Sequence, residues 1–85
     1  MTLTNAEVMQ LLDDLVPRYL PLMGEANGEI VDSARRSGEW GQSVENLVIV
    51  LSEGGIDVRE RDIATLRALC QQLRVEMPEL RSVRD

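Results

Sequence analysis

Eighty-five residues carrying a net charge of −6, 44% of them hydrophobic and 28% charged, fit one globular domain with a single modest core. One Trp, one Tyr and no Phe leave that core to Leu, Val, Ile, Ala and Met, which suits helices packed on helices. With no His and one Cys, the chain cannot form Ser-His or Cys-His catalytic pairs, an internal disulfide or an ordinary zinc site, so neither an enzyme nor a bound metal or cofactor is expected.

Thr4-Asn5-Ala6-Glu7 fits a capping box that opens a first helix. Val8, Leu11, Leu12, Leu15 and Tyr19 follow at helical spacing, with Asp13 and Asp14 outside. Pro17 removes a backbone donor and is expected to kink or end this helix near Leu15, and Pro21 fits the first turn of the next element. A second helix is secure from Glu29 to Arg36 and looser before it, where Gly24, Asn27 and Gly28 dilute helix propensity. Arg35 and Arg36 lie in its last turn, where the helix dipole favours cations, and Gly38 ends it.

Ser37 to Gly41 reads as a tight corner holding the only Trp. Gly on both sides of Trp40 suggests close packing around the indole, so Trp40, Gly38 and Gly41 are read as structural. After the corner, Val44, Leu47, Val48 and Leu51 form one face of a third helix, Gly41 to Glu53. Ile49 and Val50 lie off that face, so its second half is apolar nearly all round and the helix is expected to be central. A strand reading of Leu47 to Leu51 is set aside because no second strand-like run offers a partner. Gly54-Gly55 stops the helix. Asp57 reads as the N-cap of a fourth helix, paired with Glu60, and Ile63, Leu66, Leu69, Cys70, Leu73 and Met77 form its stripe up to Pro78. Cys70 among leucines reads as a small buried hydrophobe. Residues 79–85 read as a frayed tail. The whole is a single all-α domain over residues 1–85, a small bundle of four helices.

Charge is distributed unevenly. Ten acids and three Arg lie up to Asp57, a sum of −7, whereas five acids and six Arg follow, a sum of +1. An acidic face repels phosphate backbones, so direct nucleic-acid binding is disfavoured, and it speeds encounter with a basic protein. No signal peptide or membrane-length run is present, and the chain is expected to be cytoplasmic, free of membrane, and a monomer or weak dimer when alone.

Ser37-Gly38-Glu39-Trp40-Gly41 resembles the Gly-Glu-Trp-Gly signature of small immunity proteins of the MafI type, partners of bacterial polymorphic or contact-dependent toxins. Gly41-Gln42-Ser43-Val44-Glu45-Asn46-Leu47 keeps that family's Glu and Leu spacing, Leu51-Ser52-Glu53 stands in the place of its Leu-x-Glu, and Ile56 to Leu73 looks like its last helix. The resemblance covers about Ile30 to Leu73. Val48-Ile49-Val50 departs from the family pattern, and the first thirty residues match only as a helix with a Pro-containing break. The resemblance implies a protein that neutralises the C-terminal domain of a cognate toxin. Many such toxins are nucleases with basic clefts, which carboxylates can cover. The candidate toxin-binding residues are Glu29, Asp32, Glu39, Glu45, Glu53 and Asp57.

A helical interaction or oligomerisation module using the fourth helix's Leu/Cys stripe is the alternative. Asp32-Ser33 also resembles the phosphopantetheine-bearing pair of acyl carrier proteins, but Ala34-Arg35-Arg36 and Gly38 follow where that family continues an apolar helix, which leaves this reading third.

Overall fold

A computed structural model describes residues 2–84. Four helices carry the fold: α1 (Asn5–Met23), α2 (Glu25–Arg36), α3 (Trp40–Glu53) and α4 (Glu60–Leu73). Two three-residue strands, β1 (Asp57–Arg59) and β2 (Arg81–Val83), flank α4 and pair in parallel. The all-α class holds, and the strands are a small addition to it.

The Thr4 capping box forms in both directions: Glu7 N–H donates to Thr4 Oγ1 at 3.1 Å and Thr4 N–H donates to Glu7 Oε1 at 2.9 Å. Contrary to the expectation of a break near Leu15, α1 runs on to Met23 with Pro17 and Pro21 inside it. Both prolines are exposed and lie four apart on the outer side, so the carbonyls they leave unpaired face water. The inner side buries Leu15, Val16, Tyr19 and Met23, and that burial carries the helix past the prolines. Gly24, at φ 81°, makes the turn, so α2 starts at Glu25, earlier than its secure sequence segment. A Cβ at buried Gly28 would meet Leu20 Cδ2 at 3.2 Å, so this glycine lets α2 come close to α1.

Three helices end in one type of reversal. After α2, Glu39 N–H reaches Ala34 O (2.9 Å) and Gly38 N–H reaches Arg35 O (3.1 Å), with Gly38 left-handed at φ 77°. After α3, Ile56 N–H reaches Leu51 O (3.1 Å) and Gly55 N–H reaches Ser52 O (3.2 Å). After α4, Val75 N–H reaches Cys70 O at 2.8 Å, but the left-handed residue is Arg74, φ 58°.

The core is one cluster to which all four helices and β1 contribute, with Leu12, Val16, Val31, Val44, Leu47, Val48, Leu51, Val58, Leu66 and Leu69 fully buried. Each inward residue of α3 (Val44, Leu47, Val48, Leu51) is among them, and α3 packs against α1, α2 and α4, as its central place requires. Ser43, also fully buried, donates from Oγ to Val31 O at 2.9 Å and pins α3 to α2. Trp40 opens α3 half-buried against the core. Neither glycine beside Trp40 shows the expected close packing, since a Cβ at Gly38 or Gly41 would meet nothing within 4 Å; Gly38 is required by its left-handed φ alone.

The C-terminal third departs most from expectation. Asp57 is not an N-cap: it belongs to β1, is exposed, and pairs with Arg81 Nε at 3.1 Å. The reversal at Gly54-Gly55 sends the chain out extended, and Val58, β-branched, is buried between two exposed neighbours. Helix α4 therefore starts at Glu60, with Glu60 and Asp62 in its first turn where the dipole favours acids. It stops at Leu73, leaving Met77 beyond it, though Met77 Sδ still lies 3.6 Å from Cys70 Sγ. The expected frayed tail is ordered through Arg84: Ser52 Oγ donates to Glu79 O at 3.1 Å and residues 81–83 pair with β1. Asp85 lies outside the described residues.

One carboxylate lies beneath the surface. Asp62, 5% exposed, accepts from Arg18 Nη1 at 2.7 Å and from Tyr19 Oη at 2.5 Å. Tyr19 Oη in turn accepts from Arg59 N–H at 3.2 Å. Desolvation, then the hydrogen bond to Asp62, push the Tyr19 phenol above its usual range, and the hydrogen bond to Asp62 pushes the Arg18 guanidinium up. The network joins α1, β1 and α4 with every buried side-chain polar atom satisfied among the described residues.

Removing the phenol in Tyr19→Phe strips a donor from Asp62 and an acceptor from Arg59 N–H, so denaturant unfolding is expected to show a loss of about 1–3 kcal/mol at neutral pH. Because the folded phenol titrates above its unfolded value, its contribution is fully present below pH about 10 and is lost as pH rises through the folded value. The variant should lack that alkaline loss; an unchanged profile would contradict the assignment. Arg74→Gly relieves a left-handed non-glycine residue and should raise stability by about 1 kcal/mol in the same assay.

Candidate functional site

The six carboxylates singled out in the sequence do not form one cluster; they fall into two groups by what they touch. Asp32, its side chain 19% exposed, accepts from Arg35 Nε (3.0 Å) and Nη2 (2.6 Å) and lies 3.3 Å from Arg36 Nε. Arg35 also donates to Asp13 at 2.6 Å, so this set ties α2 to α1, and the hydrogen bond that Arg35 donates to Asp32 is the main cause that raises its guanidinium. Glu29 lies 3.3 Å from Arg36 Nη2, and Asp57 pairs with Arg81. These three carboxylates are engaged inside the fold.

Glu39, Glu45 and Glu53 are exposed, and among the described residues none has an ion-pair partner. The sequence explains this directly. No cation occurs from Ser37 to Val58, so α3 has none of its own to offer at i±3 or i±4. Glu39 occupies the N-cap position of α3 without making a side-chain cap bond. Glu53 is the last residue of α3, where the dipole is negative and no basic residue offsets it. Local physics disfavours an acid there.

Exposed apolar groups adjoin two of these carboxylates, Glu39 and Glu45. Ile30 on α2, 54% exposed, shares a shallow depression with Glu29, Ser33, Glu39, Gln42 and Asn46. Ile49 on α3, 41% exposed, lies in a second depression with Glu45, Glu76 and Pro78. By spacing, Ile49 lies off the main face of a helix half expected to be covered on several sides; it instead faces out, because α1, α2 and α4 occupy only the inner sides of α3.

The fourth helix carries no exposed large hydrophobic side chain. Leu66, Leu69 and Cys70 are buried in the chain's own core, and desolvation pushes the Cys70 thiol above its usual range, away from the reactive thiolate. Ser33 lies within α2, three residues before its end, not at a helix start as the carrier-protein pair would require. Among the described residues there is no group of three or more potential metal ligands, and no helix is long and apolar enough to cross a membrane.

The residue that sequence reasoning missed is Asp62. The signal was present: Asp62 stands four residues before Leu66 and seven before Leu69, on the buried stripe, and a charge in that position asks for a partner. Its partners make it part of the scaffold.

Comparison of the chain with family models, characterised proteins and solved structures finds no match.

If the acid at position 53 is held against local physics, Glu53→Gln should stabilise the free protein by about 0.3–1 kcal/mol at low ionic strength, an effect that fades with added salt. Chemical denaturation at two salt concentrations measures it; a loss of stability would show that Glu53 has a structural partner.

Proposed function

We propose that this chain is an immunity protein that binds the C-terminal domain of a cognate bacterial toxin, a basic protein domain and by the family resemblance a nuclease, and neutralises it by laying an acidic surface over its cleft. The observation that carries the reading is the run of unpaired carboxylates on and around α3, in a stretch without a single cation. Charge that the fold leaves uncompensated is available to a partner of opposite sign. The Gly38-Glu39-Trp40-Gly41 corner supplies the toxin-immunity part of the reading through its resemblance to the MafI-type signature. That corner also sets where α3 begins, and so where its outer side faces.

The alternative of a self-associating helical module is disfavoured by the burial of the α4 stripe that it would use. Co-expression with the C-terminal domain of the toxin encoded beside it tests the proposal. Wild-type protein should restore growth and co-elute with the toxin domain in one complex, while Glu45→Arg/Glu53→Arg, folded by circular dichroism, should fail to protect. Absence of both complex and protection would overturn the reading.

A further inference from the structure

Glu45, Ile49 and Glu53 follow one another at intervals of four, so they form a single ridge along the outer side of α3. At 1.5 Å per residue the two carboxylates are spaced about 12 Å along the axis, with the exposed isoleucine midway. Resting on the reading that this protein binds a basic partner, we infer that this acid–isoleucine–acid ridge is the docking surface, and that its occupant is a protein helix or ridge presenting two arginine or lysine side chains about 12 Å apart with an apolar side chain between them.

The occupant follows from charge. The ridge has no cation, so a second copy laid α3 against α3 would set carboxylate against carboxylate. Nucleic acid and anionic lipid surfaces are repelled for the same reason. Glu76 and Pro78 wall the depression around Ile49, which gives an incoming apolar side chain a seat and adds a third carboxylate beside it. By contrast Glu29, Asp32 and Asp57 are partly neutralised by Arg36, Arg35 and Arg81, so they attract a basic partner less than the unpaired acids of α3. The inference thus divides the acidic surface into a docking part on α3 and a structural part on α2 and β1.

The full chain, labelled with ¹⁵N, is titrated with an alanine-based helical peptide containing Arg-x₃-Leu-x₃-Arg. A second peptide of the same composition has its arginines moved to the side opposite the leucine. The first peptide should shift amides centred on residues 45–53 and bind at least fivefold more tightly than the permuted one. Glu45→Gln/Glu53→Gln should weaken binding at least fivefold, whereas Glu29→Gln/Asp57→Asn should change it less than twofold. Equal binding of both peptides, equal losses from both variant pairs, shifts centred on α4 or β2, or no binding would each overturn the inference. So would a concentration-dependent dimer of the free chain with the same α3 amides in its interface. Because the probe is a peptide and not the toxin domain, failure here would not touch the co-expression result.

Discussion

The fold depends on how one buried carboxylate is held. Asp62 opens α4 at a depth where an unpaired charge would be costly, and it is stable there because Arg18 and Tyr19 approach from α1 with donors in place. Tyr19 Oη also accepts from Arg59 N–H, at the end of β1. Three hydrogen bonds thus fix α1 to the contiguous β1–α4 segment some forty residues later. The start of α4 sets its direction, and that direction lets the chain after Arg74 return beside β1 as β2.

Around this anchor the charges divide into two populations. Asp13, Asp14, Glu29, Asp32 and Asp57 are matched to Arg18, Arg35, Arg36 and Arg81 within the chain. The half-buried Asp32–Arg35–Asp13 set links two helices, and the more exposed pairs contribute little. The carboxylates of α3 belong to the second population. Position 53 in particular runs against the helix dipole, and retaining an acid there fits a surface shaped for something other than the stability of the free chain. Ile30 and Ile49, both exposed, share depressions with Glu39 and Glu45 and place apolar area beside that charge.

Much of this was legible in the chain because it is local. The Thr4–Glu7 box, the Val44–Leu51 face, Gly38 as a helix stop and the α4 stripe from Ile63 to Leu73 each follow from a few neighbouring residues, and each holds, although Met77 falls beyond the helix. What was not legible depends on partners distant in sequence. Pro17 looks like a breaker until the burial of Val16 and Tyr19 against other helices is known. Asp57 looks like an N-cap because its alternative, a strand, exists only when Arg81 arrives from 24 residues away. Three-residue strands are also too short to show a period of two. The division of the acids was partly legible: the stretch from Ser37 to Val58 has no cation, whereas Glu29 has Arg36 on its own helix, and only the pairing of Asp57 with Arg81 needed a partner distant in sequence.

The central claim is that unpaired carboxylates on α3 hold a basic protein partner. Calorimetry of the full chain with the C-terminal domain of the neighbouring toxin, at about 50 and 500 mM salt, tests it most directly, since screening weakens exposed charge pairs and spares apolar contact. The account predicts tight one-to-one binding that weakens at least tenfold at the higher salt. Tight binding indifferent to salt would contradict it and move the interface from the carboxylates of α3 to apolar surface.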